Sequence, residues 1–332
     1  MKPLEPALRT DLLRRIQAQI GSIVVGKPQT LRLSLACLLA NGHLLIEDRP
    51  GVGKTTLARA LASSLGLPFR RVQFTSDLLP ADIVGVSIFD TTNQRFRFQP
   101  GPIFTSVLLA DEINRAPPKT QSALLEGMEE RQVTCDGETR ALPDPFFVIA
   151  TQNPAEQLGA FPLPESQIDR FLMRVELGYP DAGAERALLT GGDRRQRVDD
   201  LPALADTTIL RELRSHASSL HVAPALLDYL QALLAKSRDG SIAEHGLSPR
   251  AGLYLLSAAR AWAMLEGREM VVPDDLQAVF PSVASHRLSG QGATGQAMAE
   301  ILPVLTEAQQ EKARQAFQRW KKSKERFTGT AE

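Results

Sequence analysis

Lys54 and Thr55 follow two closely spaced glycines, Gly51 and Gly53, in the segment IEDRPGVGKTTLARAL (46–61). Glycines at that spacing let successive backbone N–H groups turn inward as an anion nest at the start of a helix. The lysine that follows can reach the β- and γ-phosphates of a nucleoside triphosphate, and the threonine hydroxyl can hold Mg2+. The general form of such a loop is G-x-x-x-x-G-K-[ST]. Here Asp48 stands where the first glycine belongs. That position is at the mouth of the loop, before the nest, so its replacement need not open the cradle. The expected phosphate-binding set is Pro50, Gly51, Val52, Gly53, Lys54, Thr55 and Thr56. A coincidental G-x-G-K-T between a strand and a helix is the bland alternative.

A second constellation narrows the choice. SVLLADEINRA (106–116) is an apolar strand ending in Asp111-Glu112. An aspartate at a strand tip beside a phosphate loop can hold the magnesium shell, and the adjacent glutamate can orient or deprotonate an attacking water. The competing reading, an Asp-Glu pair that caps the next helix, does not account for the loop one βαβ unit upstream. Asn153 ends another apolar run, PFFVIATQN (145–153), where its amide could help position the same water or simply face solvent in a turn. Arg170 reads equally as an arginine finger for a neighbouring subunit or as a surface ion-pair partner. Arg250 falls in the first turn of a strongly apolar helix, where the positive end of the dipole disfavours a cation. An anion must compensate it, either a nucleotide phosphate or a carboxylate.

The elements that position these residues alternate. HLLIE (43–47), RRVQF (70–74), the run at 106–112 and the run at 145–153 have strand length, and helical patterns intervene. This implies βαβ units and a parallel sheet covered by helices on both faces. Two hairpins interrupt the rhythm, at 83–98 and at 131–142, the latter turning at Asp136-Gly137. Beyond 179 the strands stop. Ser248 is the expected cap, Pro249 the first-turn residue and Gly267 the stop of a long helix. The expected domains are therefore an αβα core over 1–178 and an all-helical domain over 179–332, ending in a basic tail.

Composition excludes several classes. Of 332 residues, 38 are Lys or Arg and 38 Asp or Glu, so the net charge is zero and the basic excess of a dedicated nucleic-acid binder is missing. Two cysteines and five scattered histidines form no zinc pattern, and the cysteines read as buried free thiols of a reducing compartment. The first twenty residues carry charges every few positions, unlike a signal peptide, and no run approaches a membrane span. A cytoplasmic chain is expected.

Taken in order, these motifs resemble the AAA+ ATPases, and specifically the MoxR family, over about residues 15–300. LLIEDRPGVGKTTLARAL is similar to the family's phosphate loop, in which an acidic residue before the glycines is usual. LLADEINRAPPKTQSALLEGMEERQVT, QFTSDLLPADIVG, ATQNPAEQLGAFPLPESQIDRF and LSPRAG match in order and spacing. The resemblance implies ATP and Mg2+ as cofactors, with Asp111 as the Walker B magnesium ligand and Glu112 as the catalytic glutamate. It further implies Asn153 as sensor 1, Arg170 as the finger and Arg250 as the sensor 2 arginine. Val24, Val25 and Gly26 would line the adenine pocket, the hairpins would be the family's inserts, and Arg115 is a second candidate for a contact across subunits. The implied activity is chaperone-like remodelling of protein partners or enzyme complexes by a ring, commonly a hexamer, with a partner carrying a von Willebrand factor A domain. No nucleic acid is expected. The alternatives are a nucleic-acid motor, with Arg95 and Arg97 interleaved between Phe96 and Phe98, a magnesium-chelatase-like subunit, and a nucleotide-gated switch with negligible turnover.

Overall fold

A computed structural model describes residues 4–153, 161–190, 194–239 and 245–288. The basic tail and part of the segment after Asn153 lie outside the described residues. Two helices, α1 (Pro6–Ile23) and α2 (Pro28–Leu39), lead into β1 (Leu44–Glu47), the phosphate-loop segment and α3 (Lys54–Ser64). Then come β2 (Phe69–Gln73), the short α4 (Pro80–Val84), the hairpin β3 (Gly85–Asp90) and β4 (Arg95–Pro100), β5 (Val107–Asp111) and α5 (Pro118–Glu130). A second hairpin, β6 (Gln132–Cys135) and β7 (Glu138–Ala141), precedes β8 (Phe147–Gln152), α6 (Glu165–Ile168) and β9 (Met173–Val175). The remaining elements among the described residues are helices: α7 (Ala182–Thr190), α8 (Arg194–Asp199), α9 (Thr207–Ser219), α10 (Pro224–Ser237), α11 (Pro249–Leu265) and α12 (Pro273–Ala284).

Five strands pair in parallel in the order β2-β5-β8-β1-β9. Every residue of β5 is buried, as are the first five of β8. That is why these segments read as unbroken apolar runs: a parallel sheet with both faces covered has no polar face. Leu45, Leu108, Ala110, Val148 and Ala150 join Phe74, Phe146 and Phe171 in one fully buried cluster. Each large side chain there contributes about 1.5–3 kcal/mol relative to exposure. The order also has a functional consequence. β1, β8 and β5 are neighbours, so the loop after β1, Asn153 after β8 and Asp111 at the end of β5 emerge along one carboxyl edge of the sheet, where open α/β sheets bind ligands.

The first hairpin starts later than its sequence pattern suggests. Residues 80–84 form α4 instead, because Pro80 opens a helical turn and the Asp82 carboxylate accepts a hydrogen bond from the Leu79 N–H at 2.8 Å. The second hairpin turns at Asp136 and Gly137, both left-handed at φ 52° and 79°, as a two-residue turn matched to strand twist requires. Cys37 is buried as expected; Cys135 is only half-buried, since it lies on this two-stranded ribbon rather than in the sheet.

The sequence boundary at 178 follows the last strand of the sheet, and compact packing groups residues 1–213 and 214–332. The reason is local: α8 packs on α3 and α1, Leu204 N–H donates to Ser64 O at 2.9 Å, and Gln19 donates to Pro202 O at 2.9 Å. Within the second unit α11 starts as expected, with Ser248 Oγ accepting from Ala251 N–H at 3.1 Å, and Gly267 at φ 72° follows its end. Asp275 is fully buried, caps α12 through the Val272 N–H at 2.8 Å and pairs with Arg268. Burial outweighs that pairing and pushes its carboxyl up to about 6.

Candidate nucleotide site

Gly51 and Gly53 sit at φ 86° and 99°, and a Cβ added to either would meet no atom within 4 Å. Their glycine requirement is therefore conformational, and the space beside the loop is open to a ligand. α3 begins at Lys54, so the loop delivers its N–H groups at a helix start. Lys54 is buried and donates from Nζ to Asp48 O at 2.5 Å and to Asn153 Oδ1 at 3.2 Å. Burial lowers its pKa, opposed by the charges of Asp48, Asp111 and Glu112. A triphosphate entering here would meet a cation held by neutral carbonyl oxygens.

Asp48 has a structural role that the loop pattern did not announce. It is not among the left-handed residues, so its backbone needs no glycine. Its Oδ2 accepts from Leu177 N–H at 2.8 Å and Gly178 N–H at 2.6 Å, and Oδ1 from Arg49 N–H at 2.7 Å. The carboxylate thus ties the phosphate loop to the chain leaving β9. The same segment is held by Lys27 Nζ on Tyr179 O (2.6 Å) and Thr30 Oγ1 on Glu176 O (3.1 Å). Asp48→Gly, which restores the general loop pattern, is expected to lower the unfolding free energy by about 2–3 kcal/mol, because two amides lose a charged acceptor. Asp48→Asn keeps one acceptor and should lose less. Urea denaturation of the three proteins checks this, and equal stability of Asp48→Gly and the parent would refute the tie.

Asp111 and Glu112 are set by one hydroxyl. Thr151 Oγ1 donates to Asp111 Oδ1 at 2.6 Å and accepts from Glu112 N–H at 2.9 Å. This bond helps hold Glu112 in a left-handed conformation (φ 56°, ψ 49°), which costs a non-glycine residue about 1–3 kcal/mol and persists only where its surroundings enforce it. Glu112 Oε1 accepts from Asn153 Nδ2 at 3.1 Å, and Oε2 from Gln73 Nε2 at 2.9 Å and Arg115 Nε at 3.0 Å. Arg71 completes the cluster, with Nε and Nη2 both on Asp111 Oδ2 at 3.0 and 2.7 Å.

These groups surround one cavity of about 660 Å3. Val24 and Val25 line it, as do Pro50, Gly51, Val52, Gly53, Lys54, Thr55 and Thr56 from the loop, and Asp111, Glu112 and Asn153 from the strand ends. Ile23, Pro180, Leu188 and Val198 add apolar wall. Gly26 does not line it; it borders a separate cavity of about 190 Å3, and at φ 76° a Cβ there would meet Ala184 Cβ at 2.7 Å. Arg170 also lies outside the cavity lining and pairs with Glu129 at 3.1 Å. Arg250 is exposed in the first turn of α11, in the other compact unit. Sequence reasoning missed Arg71, Gln73 and Thr151. Arg71 and Gln73 are two apart on β2 and so share a face, and Gln73 lies opposite Asp111 in register; that period-2 polar pair was the available signal. The donor set fits the expected cofactors: left-handed glycines beside open space suit phosphates, and the hard oxygens of Thr55 and Asp111 suit Mg2+ rather than a softer metal.

Comparison with known proteins agrees with this geometry. Residues 43–173 match the family described as ATPase family associated with various cellular activities (AAA), and residues 235–310 match the AAA lid domain. The chain is 45% identical to the protein YeaC of Bacillus subtilis, over 83% of this chain and 87% of the relative. It is 40% identical to the chaperone MoxR1 of Mycobacterium tuberculosis (85% and 77%) and 35% identical to the protein MoxR of Paracoccus denitrificans (89% and 94%). A crystal structure from Cytophaga hutchinsonii, described as a candidate ATPase, superposes with a TM-score of 0.82 at 33% identity, covering 91% of this chain and 96% of that one. With a parallel αβα core, a helical lid and relatives of this similarity over most of their length, the chain belongs to the MoxR family of AAA ATPases.

Proposed function

We propose that the chain couples Mg2+-dependent ATP hydrolysis to chaperone-like remodelling of protein partners or enzyme complexes. The observation that carries the catalytic part is Glu112, strained and held from three sides at the rim of a phosphate cradle. In this reading Lys54 and the Gly51–Gly53 amides hold the β- and γ-phosphates. Thr55 and Asp111 hold Mg2+, which would screen the phosphate charge. Glu112 accepts the proton of the attacking water while Asn153 orients it. Val24 and Val25 face the base. Arg250 serves as the sensor 2 arginine, and Arg170 completes the site of a neighbouring subunit in a ring, commonly a hexamer. A protein partner with a von Willebrand factor A domain fits this role, and a relative carrying the name chaperone supports it.

The partner surface in this reading is the first hairpin. Phe89 and Phe96 face each other across it at 5.3 Å between ring centroids, yet are 52% and 72% exposed. Such rings with Arg95 and Arg97 alongside also favour the second reading, a nucleic-acid motor that stacks bases on aromatics. The two separate in one experiment. ATP-locked Glu112→Gln used as bait is expected to retain a protein partner, in a nucleotide-dependent way, because a ligand shifts only states it distinguishes. ATP turnover should not respond to single-stranded DNA or RNA at physiological salt. Strong stimulation by single-stranded DNA with no protein captured selects the motor.

A further inference from the structure

The Arg71 guanidinium places two N–H groups on a single oxygen of Asp111, Nε at 3.0 Å and Nη2 at 2.7 Å. Thr151 takes the other oxygen at 2.6 Å. An ionised carboxylate oxygen offers about two lone-pair sites, so Oδ2 is saturated by Arg71 alone. The Asp111 side chain is 11% exposed while that of Arg71 is 49% exposed. The carboxylate is therefore fixed and sheltered, and its cationic partner has room to leave. Lys54 Nζ donates elsewhere, to Asp48 O and Asn153 Oδ1. Arg71 and Asp111 both line the 660 Å3 cavity.

We infer that Arg71 is the resident counter-ion of Asp111, and that a divalent cation loads the site by displacing it. This rests on the reading of Asp111 as the metal ligand. The exchange is one cation for another at one carboxylate: the guanidinium would release Oδ2, leaving Asp111 free to hold the metal ion. The ion pair neutralises Asp111 before metal arrives and lowers the affinity for metal by the same interaction. Arg71 is a positioning residue here, and its removal should strengthen metal binding. A structural lesion cannot imitate that sign, because a loosened site binds metal more weakly.

Mn2+ alone, titrated into the nucleotide-free full-length chain and followed by the electron paramagnetic resonance of the free ion, tests this. Arg71→Gln, which keeps a polar side chain beside Gln73, is expected to bind Mn2+ about tenfold more tightly than the parent, the size of removing one partly screened unit charge at hydrogen-bonding range. Arg71→Lys should lie close to the parent, and the gain should shrink as salt rises. Arg71→Ala gives a second charge-deleted variant, and thermal melting verifies that each is folded. Asp111→Asn in the same titration separates the two claims. If it leaves Mn2+ binding intact, the metal-ligand reading fails. If it abolishes binding while folded Arg71→Gln or Arg71→Ala shows unchanged or weaker affinity, the counter-ion inference alone is overturned.

Discussion

Glu112→Gln should bind ATP as tightly as the parent chain and release phosphate about 10²–10⁴ times more slowly, the usual worth of a positioned general base. The amide is nearly isosteric and can still accept from Asn153 or Gln73, whose hydrogen bonds to the carboxylate are 3.1 and 2.9 Å, but it cannot take the proton of water. Lys54→Ala should fail one step earlier. Lys54 is buried between Asp48 O and Asn153 Oδ1, so its removal takes away the cation that would meet the β- and γ-phosphates. The two variants are told apart by melting with ATP and Mg2+. ATP at a hundredfold excess over its Kd stabilises a folded binder by about 2.7 kcal/mol. Glu112→Gln should show that stabilisation and Lys54→Ala should not. Phosphate release by Glu112→Gln at the parent rate would remove Glu112 from the chemistry.

How much of this was legible beforehand depended on whether the signal was local. Gly51, Gly53, Lys54 and Asp111-Glu112 announced themselves because a phosphate loop and an apolar strand ending in acids are contiguous in the chain. The long apolar runs of β5 and β8 gave the sheet for the same reason. β9 escaped notice, since three residues in a segment bounded by polar turns carry too little pattern. The network around Glu112 escaped for a different reason. Gln73, Thr151 and Arg71 come from β2 and β8, and only the strand order β2-β5-β8 brings them to the two acids. Asp48 illustrates a third kind of blindness: the sequence marked it as a tolerated departure, usual in the family it resembles, and gave no sign of its bonds to two amides at 177 and 178.

The proposed sharing of the site between subunits gives the second large expected effect. Arg170→Ala is expected to keep nucleotide binding and lose about 10³–10⁵ in hydrolysis, the range for a finger supplied in trans in phosphate-loop enzymes. The geometry within one chain is compatible with that role. Arg170 is outside the cavity lining, and its 3.1 Å pair with Glu129 is about 30% exposed on both sides. A pair so open to solvent is worth at most about 1 kcal/mol, little against the binding of a neighbour's phosphate. Arg115 is differently placed, with its guanidinium 3.0 Å from Glu112 of the same chain, so a trans role there would first strip a partner from the Glu112 carboxylate. Mixing decides between them. Arg170→Ala combined with Lys54→Ala, under conditions where subunits exchange, should recover part of the lost activity, because some mixed interfaces pair an intact loop with an intact arginine. Arg115→Ala combined with Lys54→Ala should recover none if Arg115 serves its own Glu112, since no single subunit then carries both an intact loop and an intact Arg115. The reverse pattern, recovery with Arg115→Ala and none at any ratio with Arg170→Ala, would move the trans role to Arg115.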